Sequence, residues 1–338
     1  MKDTITYDLP ESLIAQHPLK KREKARLMVL CRESGKIRER SFPGIISFFG
    51  EGDVLALNNS RVIPARLKGR KSTGGRVEVF LLKKAAPFTW EVLLRGNIRE
   101  GHSCIIENPE RRRDFLRAVI RQKKENGSYI AEFDTDDDRD IFKLGDTPLP
   151  PYIKREADAE DAEYYQTVYA EKDGSVAAHT AGLHFTPELL DEVAGRGVKI
   201  VYLTLHIGWS SFRLLKSEGD KVGEEFFEIG SDAADTLNEA KEKGRKVFAV
   251  GTSTVRALES AAEKGKVNAD SRYTGLFIRA GHDFQVVDRM ITNFHLPGST
   301  HLFLVCGFAG TGLVERAYKM AVEKEYRFYS YGDAMLII

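Results

Sequence analysis

The sequence predicts an α/β protein in which a largely parallel sheet is interrupted by a small inserted antiparallel β-barrel. Three observations lead there. From about Pro151 onward, helix-period segments alternate with short apolar runs, which is the rhythm of βα units. Between residues 76 and 133, five short runs of β-branched and aromatic residues follow one another with turns between them, the spacing of a small barrel. Strand-like runs also precede residue 60. The expected division is therefore one discontinuous α/β domain, 1–60 with 151–338, around a barrel domain over 61–150.

The elements follow in chain order. LMVLC (27–31) and GDVLALNN (52–59) are apolar enough for buried strands. RVEVFLLKK (76–84), TWEVLLRG (89–96), SCIIE (103–107), FLRAVIRQK (115–123) and SYIAEF (128–133) supply the barrel. Asn108-Pro109 marks one turn, and Asn126-Gly127 predicts a hairpin between the last two strands. The prolines of DTPLPPYI (146–153) stop both helix and strand, as at a domain crossing. TPELLDEVAGRG (186–197) predicts a helix with Thr186 as N-cap and Pro187 in its first turn. A strand over 198–208, a helix over 231–244, a strand over 245–251 and a helix over 254–265 complete the alternation.

Composition narrows the class. With 42% hydrophobic and 30% charged residues, the chain has the make-up of an ordinary globular protein. No apolar run is long enough to cross a bilayer, and MKDTITYDLP lacks a signal-peptide core, so a cytoplasmic location is expected. Cys31, Cys104 and Cys306 are too scattered for a disulfide framework or a CxxC site. Charge is balanced overall but unevenly placed. Residues 61–130 carry 17 Lys and Arg against 7 Asp and Glu, as a surface for an anionic polymer would.

Five segments concentrate polar chemistry. In LNNSRVIPARL (57–67), Asn58 and Asn59 follow an apolar run, and Arg61 and Arg66 can grip phosphate. GSVAAHTAGLHFTPELL (174–190) offers His179, Thr180, Gly182 and His184 in a small-residue loop. LTLHIGWSSFRLL (203–215) places His206 near the end of a strand, where ligands of α/β sheets gather, with Ser210, Ser211 and Arg213 beyond it. AVGTSTVRALES (249–260) is a strand–loop–helix cradle with Thr252, Thr254 and Arg256. VDRMITNFHLPGSTHLFLVCGFAG (287–310) then sets Asn293, His295, Ser299 and His301 around a Leu296-Pro297 break. Dinucleotide, P-loop, HExxH, GxSxG and EF-hand motifs are missing, so a metal-free site working by hydrogen bonds and acid/base groups is expected.

Taken in order, YDLPESLIAQHP, NNSRVIPARL, PLPPYI, YQTVYA with GSVAAHTAGLHFT, GTSTVRALES, TNFHLPGST and YRFYSYGDAMLI resemble the S-adenosylmethionine:tRNA ribosyltransferase-isomerases of queuosine biosynthesis. The resemblance spans nearly the whole chain. It implies a cytoplasmic enzyme that moves the ribosyl part of S-adenosylmethionine onto 7-aminomethyl-7-deazaguanine at the tRNA wobble position. Epoxyqueuosine-tRNA would form, with adenine and methionine released, and a β-barrel inserted in an α/β domain is implied as well. The partners are then the tRNA anticodon stem-loop and the co-substrate S-adenosylmethionine, with no metal.

On this resemblance His184 or His206 is the expected base and His295 donates or orients. Thr180, Gly182, Thr252, Thr254, Arg256, Asn293 and Ser299 are expected to hold the substrate, with Tyr331 or Asp333 at its ribose or sulfonium. Asn58, Asn59, Arg61, Arg66 and Arg95 are the expected RNA contacts. The chain departs from the family pattern in three places: His179 stands for a usual Pro, Trp209 and Ser211 lie in a usual Gly-x-Gly-Thr-Phe stretch, and His301 replaces an apolar residue. Two alternatives stay open: a non-catalytic tRNA-binding paralogue, and an α/β transferase acting on a small nucleotide.

Overall fold

The computed structural model describes residues 4–108, 114–209 and 222–338. Ser210, Ser211 and Arg213, and the Pro109 half of one predicted turn, lie outside the described residues.

Continuous apolar runs become strands buried on both faces, because helices cover each side of a parallel sheet. Every residue of Val54–Asn58 and of Val247–Val250 is buried. Side chains alternate across the sheet: Val54, Ala56, Val247 and Ala249 enter one core, while Leu55, Leu57, Phe248 and Val250 enter the other. Nine strands line up in the order Asp270–Thr274, Glu225–Ile229, Lys199–Leu205, Val54–Asn58, Val247–Val250, Arg289–Asn293, Ala334–Ile337, Arg26–Leu30 and Ile37–Ser41.

Four of the eight pairings are parallel. The sheet is thus more evenly mixed than expected, with a parallel centre from Lys199–Leu205 to Arg289–Asn293 and antiparallel pairs towards both flanks. A short turn joins Arg26–Leu30 to Ile37–Ser41, and so tight a connection can only reverse the chain.

Helices Ser231–Glu242, Thr252–Ala261, Thr300–Ala309 and Thr311–Glu323 pack on the first core, and Pro187–Gly195 on the second. The Thr186 hydroxyl accepts the Leu189 N–H, as a cap at that position should. Thr252–Ala261 starts two residues before the predicted point. Gly251, at φ 89°, turns the chain directly from strand into helix there.

The barrel closes through six antiparallel strands: Arg66–Lys71, Arg76–Ala86, Thr89–Arg95, Tyr129–Phe133, Phe115–Lys123, Ser103–Glu107 and back to Arg66–Lys71. Five were legible as apolar alternation. Arg66–Lys71 was not, because RLKGRK has one large apolar side chain, Leu67, to point inward. Val79, Leu81, Trp90, Val92, Ile120 and Ala131 fill the interior. Sheet and barrel are tied where Ser60–Val62 pairs in parallel with Lys172–Ser175. Among the described residues, no helix is long and apolar enough to cross a membrane.

Candidate active site

Lys199–Leu205, Val54–Asn58, Val247–Val250 and Arg289–Asn293 run in parallel, so their C-terminal ends and the loops leaving them share one edge of the sheet. Diverging loops leave room for a ligand at such an edge. A cavity of about 340 Å³ lies among them. Three segments singled out in the sequence meet there: 177–181, Gly251–Ser253, and 292–301 through Thr292, His295 and His301. Tyr152, Tyr165 and Tyr329 add an aromatic wall. Among the described residues, no Asp, Glu, Lys or Arg lines this cavity.

Its polar groups hold one another in place. Thr180 donates its hydroxyl to Asn293 Oδ1 at 2.8 Å. Ser253 Oγ lies 3.1 Å from His179 Nδ1 and accepts the Asn58 amide at 3.3 Å. His295 Nε2 is 2.8 Å from Thr292 Oγ1, and its backbone N–H donates to the Tyr318 hydroxyl. Ser299 caps Thr300–Ala309 by accepting the Leu302 N–H, and its own hydroxyl donates to the Leu296 carbonyl.

Three imidazoles face this cavity, and burial controls their charge. It pushes His179 down to about 3 and His301 to about 4, and holds His295 well below the ordinary histidine range. All three are neutral at pH 7. A neutral imidazole offers one donor and one acceptor, so it can take a proton or orient a leaving group.

Of the three histidines expected to be catalytic, only His295 reaches this cavity. His184 sits behind it, with Nε2 3.3 Å from the Asn293 amide and its ring against Phe42. Burial lowers it to about 4, with a further contribution from the Arg327 charge. His206 opens onto a different cavity of about 540 Å³ between barrel and sheet, lined also by Trp90 and Phe142. Its Nδ1 is 2.6 Å from Ser60 Oγ, and its ring stacks on Phe226.

Among the expected substrate contacts, Thr180, Thr252, Asn293 and Ser299 line the 340 Å³ cavity and the others do not. Thr254 faces inward and donates to the Val250 carbonyl at 2.6 Å. Arg256 is paired with the buried Glu225 carboxylate and donates to the Leu276 carbonyl. Gly182 is required by packing, since a Cβ there would lie 1.9 Å from the Tyr169 hydroxyl. Tyr331 donates to Asp161, which Arg155 grips with two nitrogens at 2.6 and 2.7 Å. Asp333 accepts the N–H groups of Arg26 and Arg327, and burial raises its carboxyl pKa.

The expected RNA contacts divide likewise. Asn58 is fully buried, its amide donating to the Leu205 carbonyl and its Oδ1 accepting the N–H groups of Ser60 and Leu205. Asn59 is buried between Thr204 and Glu171. These two join strands rather than face solvent, because an amide beside a strand end satisfies backbone groups that water cannot reach. Arg95 is exposed on a barrel strand, Arg61 is half-exposed beside Asp173, and Arg66 is partly covered next to Glu78 at 3.8 Å.

Sequence reasoning gave no role to Tyr152 or Tyr329. The segments PLPPYI and YRFYSYGDAMLI belonged to the resemblance, but nothing in their spacing announces that their tyrosines pack together. Two of the three departures, His179 and His301, line the cavity, whereas Trp209 packs edge-on against Phe80 of the barrel.

Comparison with known proteins agrees with this architecture. A family model described as queuosine biosynthesis protein matches residues 2–337. The S-adenosylmethionine:tRNA ribosyltransferase-isomerase of Halothermothrix orenii is 48% identical over 98% of both chains, and that of Acetivibrio thermocellus is 46% identical over the same share. A crystal structure of S-adenosylmethionine tRNA ribosyltransferase from Thermotoga maritima, 37% identical, matches 98% of this chain and 99% of its own with a TM-score of 0.58. A polar cavity at the strand ends, a closed basic barrel beside it and this end-to-end similarity lead to one conclusion: the chain belongs to the queuosine biosynthesis protein family.

Proposed function

We propose that this protein transfers the ribosyl part of S-adenosylmethionine to 7-aminomethyl-7-deazaguanine at the wobble position of tRNA, in the cytoplasm. The ribosyl group is rearranged to give epoxyqueuosine, and adenine and methionine leave. The observation that carries this reading is the 340 Å³ cavity, in which Thr180, Gly251–Ser253, Asn293 and His295 converge with no charged side chain among the described residues. A sulfonium makes the neighbouring ribosyl C–H acidic, and a neutral imidazole at the cavity has a free lone pair to take that proton, though as a weaker base than an ordinary histidine.

In this reading His295 is the base, positioned by Thr292, and Thr180, Thr252, Ser253 and Asn293 hold the donor molecule. His184 positions Asn293 from behind. The cleft holding His206, which shares Ile207 with the first cavity, admits the modified base. Residues 61–150 form the RNA-facing domain, with exposed Arg61 and Arg95 among its phosphate contacts.

The test is incubation with S-adenosylmethionine and tRNA carrying the aminomethyl-deazaguanine, followed by adenine quantification and nucleoside mass. Adenine release with the epoxyqueuosine mass is expected. tRNA binding with no adenine would turn the reading towards a non-catalytic paralogue. Turnover of a free nucleoside without tRNA would turn it towards a small-nucleotide transferase.

A further inference from the structure

The aromatic wall of the 340 Å³ cavity has features that packing alone leaves unexplained. Tyr152 and Tyr329 lie ring against ring, 4.4 Å between centroids and 33° between planes. Tyr152 is tied at its far end, its hydroxyl 2.7 Å from Ser330 Oγ. Tyr329 is held at φ 70°, a left-handed conformation that a bulky non-glycine residue rarely adopts. Two backbone bonds keep it there: its N–H donates to the Phe294 carbonyl, and its carbonyl accepts the Gly332 N–H. Its side chain is almost wholly buried, yet its hydroxyl has no hydrogen-bond partner. Strain and an unmatched buried hydroxyl in one residue are costs that a folded chain retains where a ligand compensates them.

Charge identifies the ligand group. Among the described residues, the cavity wall has no carboxylate to hold a cation and no Lys or Arg to hold an anion. Burial keeps its three imidazoles neutral, so a cation entering is not repelled. The one strong electrostatic feature left is the negative face of the tyrosine rings, which attracts a poorly hydrated cation.

We infer that Tyr152 and Tyr329, with Tyr165 beside them, are positioning residues whose rings receive the sulfonium of the donor molecule. The free Tyr329 hydroxyl then takes up its missing hydrogen bond from a polar group of the same molecule. This inference rests on the reading that the cavity takes S-adenosylmethionine. It also suits the chemistry. A carboxylate beside the sulfonium would neutralise the charge that makes the adjacent C–H acidic, whereas a π face holds the cation without a full countercharge.

The test is titration calorimetry of the intact protein with S-adenosylmethionine and with S-adenosylhomocysteine, its neutral thioether analogue. The protein as it stands is expected to prefer the sulfonium by on the order of tenfold. Tyr152→Leu and Tyr329→Leu should bring that ratio towards one, Tyr152→Phe should preserve it, and Tyr329→Phe should weaken both ligands alike. Should buried Tyr329→Leu fail to fold, half-buried Tyr152→Leu decides the matter. An unchanged ratio in folded Tyr152→Leu overturns the aromatic assignment and leaves the proposed activity standing. Absence of binding by either ligand to the unaltered protein overturns the reading of the cavity itself, and this inference with it.

Discussion

His295 and His301 lie ring on ring across the Leu296–Ser299 turn, 5.2 Å between centroids and 20° between planes. A proton on either imidazole raises the cost of a proton on the other, and His301 contributes in this way to the lowering at His295. His301 also stands in the first turn of Thr300–Ala309, where the helix dipole opposes positive charge. The pair is thereby kept neutral, each ring with a free lone pair but a weaker base than an ordinary histidine.

This neutrality makes the fold sensitive to acid. The unfolded chain takes up a histidine proton near the ordinary value of 6.5, but folded His184 and His301 do so only at about 4. Between those values the unfolded state binds more protons, so stability is full above pH 6.5 and declines as pH falls towards 4. Each group contributes up to about 3 kcal/mol to that decline. Thermal melts from pH 7.5 to 4.5 should show a shallower fall for His301→Asn than for the unaltered chain. Parallel curves would mean that His301 titrates normally in the folded state.

His184 and His295, on either side of Asn293, should differ in their effect on turnover. His295→Ala should slow adenine release by about 10² or more, as loss of an acid/base group does. His184→Ala, which removes the contact behind Asn293 and the packing against Phe42 but nothing that faces the cavity, should cost about tenfold, the scale of a lost supporting hydrogen bond. Single-turnover adenine release separates the two, and a larger loss for His184→Ala would reverse their roles.

Arg256 should matter for stability rather than for ligand affinity. Its removal takes the Arg256 ion pair away from the buried Glu225 carboxylate, a change that costs about 3 kcal/mol or more. Urea denaturation of Arg256→Met measures the loss. Calorimetry on the folded fraction should return an unaltered affinity for S-adenosylmethionine.

On the barrel side, Arg61→Ala and Arg95→Ala should each weaken tRNA binding and flatten its dependence on salt. Each phosphate contact contributes roughly one unit to the slope of log affinity against log salt. A filter-binding series from low to high salt reads this directly. Slopes equal to that of the unaltered chain would place the RNA elsewhere.

A smaller effect is expected at the helix facing the second core. Thr186→Ala removes the acceptor for the Leu189 N–H and should cost about 1 kcal/mol with turnover unchanged. Chemical denaturation is sufficient to detect it.

Much of this architecture is written in local pattern. Thr186-Pro187 starts a helix, Asn126-Gly127 turns a hairpin, and the apolar runs of 54–58 and 247–250 can only be doubly buried strands. Such signals depend on a few neighbouring residues, and the backbone obeys them before any distant contact forms. The motif segments were equally legible, since small and polar residues between apolar runs mark loops at strand ends.

The direction in which each side chain points was not legible, because that depends on partners far away in the chain. Asn58 resembles a ligand-reading amide until Leu205 arrives beside it with backbone groups that only a side chain can satisfy. His184 and His301 belong to similar polar loops, yet Phe42 and Asn293 enclose the first while the second faces the cavity. Tyr152 and Tyr329 come from opposite sides of the α/β repeats, and they meet only when the sheet is complete. Periodicity and turn chemistry set the elements of this protein, while long-range packing chose which of its polar groups were left over for a substrate.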